Sequence, residues 1–241
     1  MSHLTEEELW DLYQTELREI YDIKMLAKPI YPLFHLIQNY YKNYKLPLQR
    51  KVAEVGFGNG GLLRSLATIF SVCYGLDISR KNIELTQSNF RKDGIQNVIF
   101  EQYGVLDKPR FVNEFDAVVM SHVLEHFDDS GLKILFSNAK LMLKSDGVFF
   151  GATPYNKALN RRICPDCGCI FEIDGHKQVF DDDKMKKLLE ENGFKVLLIR
   201  HFNPEHYYFG LKLISRFFYN SVRVLFRQNL ITQLEFIAIP N

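Results

Sequence analysis

Apolar positions recur along this chain with two different periods. Between Leu4 and about Tyr44 they return at helical spacing, with Leu9, Leu12, Tyr13, Leu17 and Ile20 on the stripe and Pro29 and Pro32 interrupting it. That pattern predicts two or three helices ahead of the main domain. From residue 51 onward short apolar runs over 51–55, 72–76, 98–101, 115–120 and 147–151 have the length of buried strands. Amphipathic stretches over 61–70, 79–91 and 132–143 have the length of helices. Strands alternating with helices need right-handed crossovers, so the expected fold is α/β with a doubly wound, mostly parallel sheet.

Residues 152–180 break this rhythm with a Pro-, Asn- and Cys-rich loop. It leaves the carboxyl end of a strand, the edge at which open α/β sheets bind ligands, and is expected to act as a lid. Asp181 then caps a helix ending at Asn192-Gly193, and strands over 194–200 and 231–239 bring the expected sheet to seven. Within the insertion 203–229, Lys212, Arg216, Arg223 and Arg227 share one helical face, and Leu211, Ile214, Phe217, Phe218, Val222 and Leu225 the other. Two readings stand: a cap docked on its own domain, or a helix over 210–229 that touches a membrane surface to reach a lipid-linked substrate. The division is a helical cap over 1–46 and one main domain over 47–241.

Composition narrows the function classes. Lys+Arg 30 against Asp+Glu 29 leaves a formal net charge of +1, too little for a broad phosphate-binding face, so nucleic acid is not an expected partner. The hydrophobic share of 46% and charged share of 24% are those of a folded globular domain. Glu6, Glu7 and Glu8 stand where a secretory leader would carry base, and no uncharged apolar run approaches the ~18 residues of a membrane span. Three of the four cysteines fall within 164–169, a spacing suited to metal or reduced thiols rather than disulfides. A cytoplasmic location is expected.

The strongest chemistry lies in Lys51-Val-Ala-Glu54-Val-Gly56-Phe-Gly58-Asn-Gly60-Gly61, a strand that runs into glycines opening a helix. Glycine lets the backbone turn tightly and a ligand approach with no Cβ between. Gly56, Gly58 and Gly61 also satisfy the dinucleotide fingerprint, so the turn alone does not choose its ligand. Two acids tilt the choice. Glu54 sits at a strand end that dinucleotide sites keep apolar, and Asp77 closes the second strand, where a carboxylate can grip both hydroxyls of a ribose.

Glu54-Val-Gly56-Phe-Gly58-Asn-Gly60 resembles the first motif of class I S-adenosylmethionine-dependent methyltransferases, and Gly75-Leu-Asp77-Ile-Ser resembles their second. Phe115-Asp-Ala-Val-Val-Met-Ser121-His122-Val-Leu-Glu125-His126-Phe is similar to their fourth-strand signature, in particular that of the small-molecule, ubiquinone-pathway O-methyltransferases, and Asp146 to Pro154 to their fifth strand. The resemblance covers about residues 50–154 in the right order. It implies S-adenosylmethionine as cofactor, held by Glu54, Gly56, Gly58, Gly60, Asp77, Ile78, Gly104 and Ser121. One departure stands out: where the family commonly places an acid against the adenine amino group, this chain reads Gln102-Tyr103-Gly104-Val105. Backbone groups near Gly104 and apolar packing from Ile78 are then expected to hold the base.

His122, Glu125 and His126 follow the fourth strand at spacing i, i+3, i+4, which places them on one face of a helical turn. Methyl transfer from a sulfonium needs a positioned acceptor and, for a hydroxyl, a base, and histidine is the natural one at neutral pH. His126 is the first candidate, His122 the second, and His176 the third. The ubiquinone-pathway relatives resemble this stretch with acidic and histidine metal ligands, so a divalent ion is an alternative, although His122 replaces the first acid. Packing on the cofactor or capping of the turn is the plain alternative. Cys164-Pro-Asp-Cys167-Gly-Cys169 has the shape of a zinc knuckle, with Cys169 and His176 available to complete four ligands; reduced thiols in a lid are the other reading.

The sequence thus points to methyl transfer to a hydroxyl of a small-molecule, saccharide or lipid-linked acceptor. A nicotinamide-dependent reductase shares the glycine turn, but no Tyr-x-x-x-Lys pair follows the fourth strand. An inactive zinc or interaction module on the same fold is the remaining alternative.

Overall fold

The computed structural model describes residues 4–16, 32–43, 50–202 and 232–241. Helices α1 (Glu6–Glu16) and α2 (Pro32–Asn43) precede the alternating unit of β1 (Lys51–Val55), α3 (Gly61–Leu66), β2 (Val72–Asp77), α4 (Arg80–Lys92) and β3 (Val98–Gln102). Strand β4 (Phe115–Ser121), a 3-10 turn (Leu124–His126), α5 (Asp129–Met142) and β5 (Leu143–Tyr155) follow. A short hairpin of β6 (Arg161–Ile163) and β7 (Ile170–Glu172) leads to α6 (Asp182–Glu191), β8 (Phe194–Phe202) and β9 (Thr232–Pro240).

Seven strands form one sheet in the order β3-β2-β1-β4-β5-β9-β8, with β9 antiparallel to both of its neighbours and the other pairings parallel. Both faces are covered, so the central strands read as nearly continuous apolar runs. Alternate residues of β4 show the two layers. Val118 and Met120 pack with Leu132, Leu135 and Phe136 of α5 and Met185 and Leu189 of α6. Ala117 and Val119 pack with Leu33, Leu36 and Ile37 of α2, Leu62, Leu63 and Leu66 of α3, and Phe90 of α4. Helix α2 therefore docks by its apolar stripe, as its spacing predicts.

Several boundaries differ from the sequence reading. Helix α3 stops at Leu66 instead of Phe70, and the chain continues in tighter turns in which Thr68 Oγ1 donates to the Ser65 carbonyl. Strand β5 runs to Tyr155, past the expected loop start at Ala152, because β9 pairs with it from Phe149 to Tyr155. That partner lies about 80 residues away in sequence, where a local pattern cannot see it. The remaining insertion is not irregular throughout, since β6 and β7 pair within it. Residues 17–31, with Leu17, Ile20 and Pro29, and the stretch 203–229 lie outside the described residues. Among the described residues no helix is long and apolar enough to cross a membrane.

Candidate cofactor and acceptor site

Chain order in the sheet reverses between β1 and β4, and the crevice beyond their carboxyl ends is where such sheets take ligands. The β1 turn shapes its floor. Gly56 has φ +69°, donates its N–H to the Leu76 carbonyl at 2.7 Å, and has no room for a side chain, since a Cβ would stand 2.7 Å from Val123 Cγ2. Gly58, at φ +54°, is the opposite case: a Cβ there would meet nothing within 4 Å, so its backbone fronts open space.

Two acids flank this turn. Glu54 is 2% exposed, and its Oε2 is buried with no hydrogen-bond partner. Burial, reinforced by the nearby Asp77 charge, pushes the Glu54 carboxyl well above the usual range, so a bound cation would be a favourable partner for its ionised form. Asp77, also buried, accepts from Ser79 N at 2.9 Å and from Asn82 Nδ2 at 2.8 Å. Burial lifts it to about 6 against the opposing pull of those donors and of the Gly58 N–H. A buried carboxyl without a partner and a second one of raised pKa are what a ligand-ready site requires.

Beside Asp77 opens a cavity of about 470 Å³ lined by Glu7, Ile78, Gln102, Gly104, Asp107, Lys108 and Arg110. Ile78 and Gly104 thus border one space, but the Gly104 N–H already donates to Asp107 Oδ2 at 2.9 Å. An ammonium at Glu54, a ribose at Asp77 and an adenine beside Ile78 fit these features, and together they describe S-adenosylmethionine.

The other wall carries the histidines. Ser121 ends β4, and His122 follows with φ +57°, its N–H donating to the Ala152 carbonyl at 2.8 Å. A β-sheet residue's successor held in the left-handed region is a strained position of the kind found at functional sites. The His122 ring does not join His126. Its Nδ1 lies 3.2 Å from Glu125 Oε1 and its Nε2 3.2 Å from Gln233 Oε1. Half of its side-chain surface meets solvent although protein surrounds it closely, as at the floor of a cleft. Burial acts to lower its pKa, but the bond to and charge of Glu125 outweigh it, and the net shift is upward.

His126 stands differently. Its Nδ1 lies 3.2 Å from the Gly175 carbonyl, an acceptor, so in the neutral ring the proton sits on Nδ1 and Nε2 keeps its lone pair. Its ring meets Trp10 and His176 edge-on, each with centroids 5.1 Å away. Burial, aided by the His126 charge, holds the His176 pKa below its ordinary value against Glu125, so His176 is neutral at pH 7. The ligand atoms of Glu125, His126 and His176 lie within 4.8 Å of one another. The convergent trio is therefore this one, not His122, Glu125 and His126.

The insertion is fastened to this wall. The Glu125 carbonyl accepts from Lys177 N at 2.7 Å and Gln178 N at 3.2 Å. Glu172 takes Asn160 N, Asp174 N and His176 N on its two oxygens, which sets the loop that carries His176. At the hairpin tip the thiols of Cys164, Cys167 and Cys169 lie within 4.8 Å of one another, Cys167 and Cys169 at 3.1 Å. His176 does not complete that set: it sits with Glu125 and His126, because the chain turns back toward the sheet after β7. Trp10, Glu172 and Gln233 were missed in the sequence. Trp10 alone left a signal, as a lone tryptophan on a helical stripe.

A doubly wound sheet closed by one antiparallel strand, with a glycine cradle between Glu54 and Asp77, defines the class I S-adenosylmethionine-dependent methyltransferase fold. Residues 27–199 match the family described as "Methyltransferase domain", and the chain belongs to that family. It is 26% identical over 148 residues to the ubiquinone biosynthesis O-methyltransferase of Proteus mirabilis, covering 61% of this chain and 60% of that one. The chain thus spans about three fifths of the length of the curated relatives it matches. Among solved structures it resembles an S-adenosylmethionine-dependent methyltransferase of Clostridium acetobutylicum (TM-score 0.64, 13% identity, 97% of this chain and 98% of that one). It also resembles phosphoethanolamine N-methyltransferase 2 of Haemonchus contortus with S-adenosyl-L-methionine bound (TM-score 0.70, 13% identity, 99% of this chain and 60% of that one).

Proposed function

We propose that this protein transfers the methyl group of S-adenosylmethionine to a hydroxyl of a small-molecule, saccharide or lipid-linked acceptor. The observation that supports the reading is the Nδ1 of His126 on the Gly175 carbonyl, which leaves the lone pair of the neutral ring on Nε2. S-adenosylmethionine supplies a sulfonium whose methyl carbon is open to in-line attack. Glu54 would hold the ammonium of its amino-acid part, Asp77 the ribose, and Ile78 the adenine. His126 Nε2 takes the proton of the acceptor hydroxyl as oxygen attacks, and His176, neutral at pH 7, stands by as the adjoining imidazole. His122 and Glu125 form an ion pair beneath them and orient the turn. The similarity to the ubiquinone biosynthesis O-methyltransferase of Proteus mirabilis supports a hydroxyl acceptor. The sequence pattern of basic and apolar positions over 210–229, which lies outside the described residues, supports a lipid-linked one.

Calorimetry with S-adenosylhomocysteine and with NADH tests the cofactor, and a screen of metabolite extracts with methyl-labelled S-adenosylmethionine tests the acceptor. Binding of NADH with neither sulfur ligand would replace this reading by the reductase. A divalent ion on Glu125, His126 and His176 is the second reading, favoured by their convergence. Turnover abolished by chelator and restored by added metal would install it in place of the base.

We infer further that Cys164, Cys167 and Cys169 hold zinc through thiolates, with a fourth ligand from outside the trio. The Gly168 N–H donates to the Cys164 carbonyl at 2.9 Å, with Gly168 at φ +71°, and the Cys164 N–H donates to the Cys169 carbonyl at 2.8 Å. This is the tight turn that aims neighbouring thiols at one point. Elemental analysis of protein purified without chelator checks it, and finding no zinc would leave reduced thiols.

A further inference from the structure

Helix α1 docks in an unusual way. Leu4 beside it and Leu9 within it are exposed, at 56% and 51%, so apolar burial does not hold this face. From Leu4 to Leu12 the half-buried residues are Glu7, Trp10 and Asp11, spaced i, i+3, i+4 and hence on one face. Each of the three meets a different part of the cleft. Glu7 Oε1 accepts from Gln102 Nε2 at 2.7 Å, at the end of β3. Asp11 Oδ1 accepts from Ser79 Oγ, the residue whose N–H binds Asp77, and from Lys81 N at 3.2 Å. Trp10 meets the ring of His126.

We propose that Glu7 is the residue that reads the adenine amino group, so that cofactor binding and the docking of α1 are one event. The proposal rests on the cofactor reading above and deepens it. Adenine presents a donor in its exocyclic amine, and the segment after β3, Gln102-Tyr103-Gly104-Val105, offers no acid to receive it. Two carboxylates do line the cavity, Glu7 and Asp107. Asp107 is engaged in its own turn, accepting the Gly104 N–H at Oδ2 while its N–H donates to the Gly104 carbonyl at 2.9 Å. Glu7 is held by one flexible amide, and Gln102 also reaches the Ile78 carbonyl at 3.1 Å, so the amide keeps a partner when Glu7 turns to the base. The carboxylate missing from the sheet is thus supplied by a helix more than 90 residues earlier in the chain. Because Trp10 rides one turn along that helix, an adenine bound at Glu7 also seats Trp10 against His126 at the acceptor end.

The test compares two ligands that differ along the edge of the base being read: S-adenosylhomocysteine, with a 6-amino donor and an N1 acceptor, and S-inosylhomocysteine, with a 6-oxo acceptor and an N1–H donor. Wild-type protein is expected to prefer the first by roughly 10- to 100-fold, the size of a hydrogen bond to a charged group. In Glu7→Ala and Glu7→Gln the calorimetric preference should shrink to a few-fold or less, whereas Asp107→Asn should retain it. Trp10 is the single tryptophan of the chain, so its fluorescence reports α1 directly. S-adenosylhomocysteine should shift that emission in the wild type and fail to do so in Glu7→Ala at ligand saturation. An unchanged preference in both Glu7 variants, or its loss in Asp107→Asn alone, overturns the proposal while leaving the cofactor reading intact. Failure of wild-type protein to bind S-adenosylhomocysteine overturns both.

Discussion

Glu125 Oε1 and His122 Nδ1 stand 3.2 Å apart beneath the histidine pair. The far nitrogen of His122 meets Gln233 Oε1, and the orientation of that amide is set by its own Nε2, which donates to Glu235 Oε1 at 3.0 Å. Both ring nitrogens therefore face acceptors, the pattern of an imidazolium. Against the effect of burial, Glu125 accordingly raises the His122 pKa, which favours the protonated ring.

The pair gives a stability contribution with a defined pH window. The His122 pKa is raised in the folded protein, so its contribution is complete below the unfolded value near 6.5 and is lost as pH rises through the folded one. Burial opposes ionisation of Glu125, but His122 prevails and lowers its pKa, so that contribution is present above the unfolded value near 4.5 and is lost on acidification. His122→Ala should therefore cost most between about pH 4.5 and 6.5, on the order of 1 kcal/mol once solvent screening of the half-exposed ring is included. Urea titrations across pH check this. A cost that grows above pH 8 contradicts the ion pair.

Asp77 has the opposite sign. Its folded pKa of about 6 exceeds the ordinary 3.8, so the folded state holds the proton longer and stability falls as pH rises from about 4 to 6. Asp77→Asn should raise the melting temperature of cofactor-free protein at pH 7.5, the ionisation penalty removed being at most about 3 kcal/mol. The same substitution should weaken S-adenosylhomocysteine binding by about 1.5–3 kcal/mol. Calorimetry that finds affinity unchanged moves the ribose contact elsewhere.

His126→Ala should lower turnover by about 10²–10⁴-fold, the usual contribution of a general base, with cofactor affinity little changed. Single-turnover rates alongside dissociation constants separate the two effects. If His176→Ala removes turnover and His126→Ala does not, the proton goes to the neighbouring ring.

On the zinc proposal, replacing Cys164 and Cys167 together by Ser should lower the zinc content of purified protein and loosen the hairpin while the melting temperature of the domain changes by only a few degrees. The tip is exposed and distant from both apolar layers, with Cys167 and Cys169 open to solvent. Proteolysis between Arg161 and Glu172 should quicken. A global loss of folding would show that the hairpin is tied to the core.

Much of this protein was determined by local sequence. Gly56 and Gly58 follow a buried strand and must take positive φ, and Asp77 ends the next strand, so the cradle was legible from spacing within 24 residues. The strand order around β1 and β4 followed from the alternation of periods, since the handedness of crossovers leaves few other arrangements. Only the tertiary structure decided the rest. It brought Gln233 to His122 across 111 residues and carried β5 to Tyr155 on a partner far along the chain. It also sent His176 to His126 instead of to the thiols, and laid Glu7 against Gln102 and Trp10 against His126. The division has one physical cause: backbone conformation and periodicity are set by neighbours in sequence, whereas a side chain's charge state and partner are set by whatever the fold packs against it.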